Sequence, residues 1–453
     1  MAGSRERKGP AGLEATKEMA GSPKSNLAEG APRSVALTEP PGTATGSGTG
    51  RTEAEVVLWR KAKLFTLAQA HGWGLMENAA LISLGGRIRW IGADGDLPAG
   101  LQAQREYCLD GALLGPGLID AHTHLVYAGD RADEFEARLQ GKSYAEIARE
   151  GGGIRSTVRA TREASDAALH AQSLARGRNF VAEGVTTLEI KSGYGLTEEH
   201  EARCLATARR IGESLCVDVR ATSLGAHALP EEYAGRSDAY IDAVCSWLAG
   251  QKLAGLVDAV DAFCESVAFS KDQVRRVFEA AQRLGIPVKL HAEQLSHQGG
   301  TELAAEFGAL SCDHLEHLQP EGVAAMKRSG TAAVLLPGAY YFMRETRMPP
   351  IAALIDAQIP IAIGSDHNPG TSPVNSLVLM LNLASTLFGL TPEQGWRGIT
   401  VNAARALGLS DRGRLVPGLR ADLAVWDADH PRELVYRFGH QPCRTRVFAG
   451  VPC

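Results

Sequence analysis

Two periodicities divide the chain. From Glu55 the apolar positions fall in short alternating runs, VVLWRKAKLFTL and NAALISLGGRIRWIGA, with Gly85-Gly86 between two of them. That pattern predicts strands joined by a tight hairpin. Between about Leu114 and Leu407 it changes to eight apolar runs: ALLGPGLIDAHTH, GVTTLEIKSGYG, VDVRATSLGAHA, VDAVDAFCESVAF, GIPVKLHAEQL, ALSCDHLEHL, TAAVLLPGAYYF and IPIAIGSDHNPG. Most are separated by stretches such as TEEHEARCLATARRIG and KDQVRRVFEAAQRLG, where apolar residues recur at three- and four-residue steps, the mark of amphipathic helices. Strand-like runs return at Arg412 to Asp429 and Arg444 to Cys453.

Eight βα repeats predict a closed parallel barrel rather than an open sheet. The expected fold is therefore α/β. A (β/α)8 TIM-type barrel occupies 114–407, with a small β-sandwich domain built from both chain ends, 55–113 and 408–453. The segment before it, 1–54, is rich in Gly, Ser, Thr, Pro, Ala, Lys and Glu and has no aromatic residue. Such a segment buries too little apolar surface to offset its ordering entropy, so it is expected to be a disordered tail.

Composition narrows the function classes. With 44% hydrophobic residues and 50 glycines in 453, the chain can bury a large core and make many tight turns. A net charge of −5 without a basic stripe argues against nucleic acid as a partner. No apolar run approaches the ~20 residues of a membrane helix. The N-terminus lacks the apolar stretch of a secretory signal, and its glutamates argue against a transit peptide. The eight cysteines are scattered with no Cys-x-x-Cys, which reads as reduced thiols in a cytoplasmic enzyme.

The candidate chemistry lies at the predicted C-terminal ends of the barrel strands, where such folds carry their active sites. His122 and His124 are two apart on strand one and so point the same way. Strand two ends with Lys191 and Tyr194, strand three with His227, and strand four with Glu265. Strand five ends with His291, Glu293 and Gln294, strand six with His314 and His317, and strand eight with Asp366 and Asn368. His122, His124, His291 and Asp366 together offer three imidazole nitrogens and a carboxylate, a set that suits Zn²⁺ or iron with a position left for water. Asp366 could instead cap a turn, but an acid ending a buried apolar strand is costly unless paired or metal-bound. His314 is a catalytic partner or a satisfied polar residue. His317, of opposite parity, reads as structural. Lys191 could be carbamylated and bridge two metals, contact an anion, or be structural; one metal is the preferred reading. Arg131, after the metal strand, can pair with a carboxylate in two-point fashion, or form a surface ion pair within the acidic DRADE. Tyr194 lies between Gly193 and Gly195, and Tyr144 is a weaker substrate candidate.

These segments resemble the amidohydrolase superfamily of metal-dependent barrels. The resemblance runs from the metal strand through AGDRADEFEARLQGKSYAEI, GGGIRSTVRATR, EIKSGYGL, LGAHALP, HAEQL, DHLEH and SDHNPGTSP, and covers the chain from about Glu55 onward. His-x-His marks only the superfamily. KSGYGL with DHNPGTSP narrows the likeness to members that open the imidazolone ring in histidine breakdown. The resemblance implies that His122, His124, His291 and Asp366 hold a single Zn²⁺ or Fe³⁺. It implies that Arg131, Tyr194 and His227 meet the substrate, that Asn368, Gly370 and Thr371 line the pocket, and that His314 sits near the reacting carbonyl. Position 294 departs from the pattern: some relatives have an acid where this chain has Gln294, so either Gln294 or Glu293 faces the substrate.

The implied reaction is hydrolysis of 4-imidazolone-5-propanoate, a small anionic heterocycle, to N-formimidoyl-L-glutamate, by an enzyme whose assembly the resemblance leaves open to a homodimer. Another metal-dependent cyclic-amide hydrolase or deaminase on the same barrel is the nearest alternative. A catalytically inactive barrel used as a binding module is the more distant one.

Overall fold

A computed structural model describes residues 55–142, 146 and 150–453. The expected tail, 1–54, and Tyr144 lie outside the described residues. The first five strands are β1 (Val56–Phe65), β2 (Leu75–Leu84), β3 (Arg87–Ala93), β4 (Arg105–Cys108) and β5 (Leu113–Pro116). The barrel follows with β6 (Leu118–Asp120), β7 (Val185–Lys191), β8 (Asp218–Ala226), β9 (Ala259–Cys264), β10 (Leu290–Ala292), β11 (Ser311–His314), β12 (Ala332–Leu335) and β13 (Ile361–Ile363). The chain ends with β14 (Leu423–Trp426), β15 (Cys443–Phe448) and β16 (Val451–Pro452).

The two ends of the chain share one sheet. Its path is β16-β15-β14-β5-β1-β2-β3, with β4 also paired to β1. The β domain expected from both ends is thus joined by a single continuous hydrogen-bonded path. Gly85 and Gly86 have φ of 57° and 75°, and Leu84 pairs with Arg87 across them. Positive φ at both central residues is what a two-residue type I′ hairpin needs. β14 runs antiparallel to β5, Leu423 opposite Pro116 and Trp426 opposite Leu113. Trp426 and Phe65 both pack edge-on against Trp396, in the barrel helix Pro392–Gly398, which fastens the sheet to the barrel.

The barrel strands are parallel in the order β6 to β13, and all four residues of β12, AAVL, are buried. Strands covered on both sides read as continuous apolar runs, which is why they stood out in the sequence. The connecting helices bury one face only: Lys271–Arg283 turns Val274, Val277, Phe278 and Ala281 inward behind a Ser270/Gln273 capping box. The first apolar run is divided: Leu113–Pro116 joins the end sheet, and Leu118–Asp120 opens the barrel. The barrel closes where the chain passes beyond β6 and β13. The Asp366 N–H donates to the His122 carbonyl at 2.9 Å, and the His124 N–H to the His367 carbonyl at 2.9 Å.

Candidate active site

That seam sets Asp366 beside the two histidines of the first barrel strand. Nε2 of His122 lies 3.3 Å from Nε2 of His124, which is 3.3 Å from Nε2 of His291. Asp366 Oδ1 is 3.3 Å from His122 Nε2 and 3.5 Å from His124 Nε2. Donors held 2.0–2.1 Å from one tetrahedral cation stand about 3.3–3.4 Å apart. The four side chains are buried, and burial holds His122 and His124 well below the usual imidazole pKa. Neutral rings turn lone pairs, not protons, toward the shared point, so the residues fit a metal ion.

The far nitrogens of two of the three rings face buried carboxylates. His122 Nδ1 donates to Asp313 Oδ2 at 2.6 Å, and His291 Nδ1 lies 3.0 Å from Asp261 Oδ2. Such partners fix tautomer and ring orientation and raise ligand basicity. Sequence reasoning passed over both acids, although each is a carboxylate inside an apolar strand, in VDAVDAF and LSCDH. On β11 two neighbouring side chains serve the site, against strand parity. His314 has φ 80° and Leu315 φ 79°; this left-handed stretch lets Asp313 back His122 while His314 lines the pocket. Asp366 is left-handed too, at φ 52°. Such backbone is held only where the surrounding structure enforces it, typically at functional sites. Burial pushes the Asp366 carboxyl up to about 7, against the pull of the His291 ring.

Lys191 is drawn into the barrel interior. Its Nζ is 2.7 Å from Asp261 and 2.9 Å from Glu189, and Lys289 Nζ is 2.7 Å from the same glutamate. Burial works against the Lys191 charge, but Asp261, Glu189 and Asp313 outweigh it and its pKa is raised. Carbamylation needs a free amine, and this one is held as an ammonium.

Above the four donors opens a cavity of about 1100 Å³, lined by Arg131, Tyr194, His227, Gln294, His314, Asn368, Gly370 and Thr371 among others. Among the described residues Arg131 engages Glu134 through its Nε alone, at 2.9 Å, and Glu134 is itself tied to the Gly153 N–H and Ser156. The guanidinium lies over Gly370 so closely that a Cβ there would fall 2.3 Å from Nη1. Tyr194 is presented by a loop wound around Glu201, whose buried carboxylate accepts the N–H groups of Gly193, Gly195 and Leu196 at 3.0, 2.7 and 2.8 Å. His227 joins that loop through Nδ1 to the Gly193 carbonyl, 2.9 Å away, and stacks on His124. Asn368 holds the last loop: its Oδ1 accepts from Gly370 and Thr371, and its Nδ2 donates to the Asp366 carbonyl.

Positions 293 and 294 part company. Glu293 is fully buried, accepting from the N–H groups of Gln298 and Thr301 and pairing with His297, and does not face the pocket; Gln294 does. Glu265 likewise turns to the backbone, accepting from Leu295 and Ser296. Among the pocket acids not singled out in the sequence, the buried one is Glu316. Glu316 is 4% exposed, its Oε2 has no hydrogen-bond partner among the described residues, and burial, with Glu345, Asp366 and Glu265 near, pushes it up to about 8.

Residues 113–450 match the model of the amidohydrolase family. The chain is 55% identical to an imidazolonepropionase of Rhizorhabdus wittichii over 396 residues, 87% of this chain and 99% of that protein. It is 59% identical to an imidazolonepropionase of Cupriavidus necator over 399 residues, 87% of this chain and 94% of that one. Among solved structures, the zinc complex of an atrazine chlorohydrolase from Arthrobacter aurescens shares the fold, at a TM-score of 0.66 and 17% identity, over 87% of this chain and 94% of that one. No helix among the described residues is long and apolar enough to cross a membrane. The chain belongs to the amidohydrolase family and, within it, to the imidazolonepropionases.

Proposed function

We propose that the chain hydrolyses the cyclic amide C–N bond of 4-imidazolone-5-propanoate to N-formimidoyl-L-glutamate, with one Zn²⁺ or Fe³⁺ held by His122, His124, His291 and Asp366. The observation that carries this reading is the convergence of three imidazoles and a carboxylate, with neighbouring nitrogen and oxygen atoms 3.3 to 3.5 Å apart, in a pocket that also holds Arg131. The engagement of Lys191 with Asp261 and Glu189 supports a single ion. When bound, the ion supplies Lewis acidity, polarising the carbonyl and making hydroxide accessible at neutral pH. Asp366 takes the proton of the attacking water and passes it to the departing ring nitrogen. His314 donates to the developing oxyanion, a contact worth about 3 kcal/mol. The guanidinium of Arg131 pairs with the propionate, and Tyr194 and His227 wall the ring. Gln294, Asn368, Gly370 and Thr371 complete the pocket. The eight cysteines, all unpaired, support a cytoplasmic setting.

The test is spectrophotometric: fresh imidazolonepropionate is given to metal-loaded protein, loss of the ring chromophore is followed, and the assay is repeated after chelation. Fast loss, abolished by chelator and restored by zinc or iron, is expected. Loss no faster than the spontaneous rate, with metal bound, would discard this substrate and keep the hydrolase barrel.

A further inference from the structure

Glu316 has no role in the scheme above, yet it lines the same pocket. The left-handed pair His314 and Leu315 reverses the chain just before it. Arg347 Nε donates to the Glu316 carbonyl at 3.0 Å, pinning the backbone. The side chain is 4% exposed, and Oε2 has no partner among the described residues. A buried carboxyl oxygen without a partner costs stability. Its retention on a pocket wall is accounted for if a ligand completes it. Glu345 also lines this part of the pocket and lies near Glu316, so the wall suits a cation or an N–H donor. Arg131, which follows β6, stands three strands round the closed barrel from Glu316, which follows β11. The pocket therefore carries a cationic group and an acidic wall at separate places.

We propose that Glu316 is a further substrate-contacting residue, reading the N–C–N edge of the ring that becomes the formimidoyl group of the product. The proposal rests on the function proposed above. A carboxylic acid offers an O–H and a carbonyl oxygen side by side. The amidine edge of an imidazolone offers a ring nitrogen and an N–H in the matching order, so two hydrogen bonds form together. In the ring-opened product the same three atoms form an amidine that takes up a proton readily, and a carboxylate with an amidinium makes a charge-assisted two-point pair. Arg131 holds the carboxylate tail, and Glu316 distinguishes an amidine from an amide or ester at the other end.

Calorimetric titration of the metal-loaded protein with N-formimidoyl-L-glutamate and with N-formyl-L-glutamate tests this without relying on turnover. The wild-type protein is expected to prefer the formimidoyl compound by about tenfold or more, the scale of a hydrogen bond to a charged group. In Glu316→Leu, which keeps the volume and removes both oxygens, the preference is expected to fall to within about twofold, with metal content unchanged. With imidazolonepropionate, kcat/KM is expected to drop about 100-fold in Glu316→Leu and to recover to within about tenfold of wild type in Glu316→Gln, whose amide again offers one donor and one acceptor. Equal binding of the two compounds by wild type, or an unchanged preference in Glu316→Leu, would overturn the proposal. Absence of turnover by wild type would instead remove the function proposed above, and the binding preference would still be read.

Discussion

The mouth of the barrel and its interior both bury a cluster of ionisable groups, but the two clusters are arranged by opposite rules. In the interior, signs alternate: Lys191 and Lys289 are interleaved with Glu189, Asp261 and Asp313 at 2.7 to 3.7 Å. Each ammonium there has a carboxylate to answer it. At the mouth, the Nε2 atoms of His122, His124 and His291 and Oδ1 of Asp366 converge on one another. Four such atoms converging 3.3 to 3.5 Å apart are the arrangement that a shared cation needs. The lesson is that burial and charge alone do not mark a site. Convergence of like-natured donors does, and the alternating network beneath serves to hold those donors still.

Breaking the convergent set should have the largest effect. Asp366→Asn is expected to lower kcat by about 10²–10⁴ while the thermal transition of the metal-free protein is kept. Near wild-type turnover would take Asp366 out of the proton path. Breaking the alternating set should instead damage the fold. Lys191→Met leaves Asp261 and Glu189 short of a countercharge and is expected to cost about 3–5 kcal/mol, read as a lower urea midpoint; an unchanged midpoint would mean that the interior charges are not mutually dependent.

A smaller effect sharpens the boundary between the two regions. Asp120 sits between them, its Oδ1 accepting from the Ser365 and His122 N–H groups and its Oδ2 unpartnered among the described residues. Burial pushes it up to about 7. The native state therefore binds its proton more tightly than the unfolded chain, where a carboxyl titrates near ~3.9. The cost of ionising Asp120 is absent below pH ~4, grows as the pH rises towards ~7, and is constant above. Asp120→Asn is thus expected to gain on wild type across that window, and parallel urea midpoints at pH 5 and 7.5 would refute the shift.

Much of this was legible beforehand because it is periodic. Strand parity coupled His122 to His124, and eight apolar runs with amphipathic stretches between them announced the barrel. What escaped was whatever departs from period. The first run looks like one strand, yet is cut between Pro116 and Leu118, because its two halves serve two different sheets. Glu293 and Gln294 were indistinguishable by composition. A left-handed Glu293 at φ 56° turns the acid to the backbone and leaves the amide in the pocket. Asp313 and His314 are adjacent, so alternation allowed only one of them to face inward, and a positive φ admits both.

Closure of the barrel between its first and last strands has a consequence for how the molecule comes to exist. His122 and His124 leave the ribosome early, but Asp366 follows seven further strands, and β5 gains its partner β14 only after that. A complete donor set is therefore among the last things the chain makes, after the long-range contacts that are slowest to form. An ion that needs all four donors has little to grip in a half-built barrel. Its contribution should appear in how slowly the finished protein comes apart rather than in how fast it assembles.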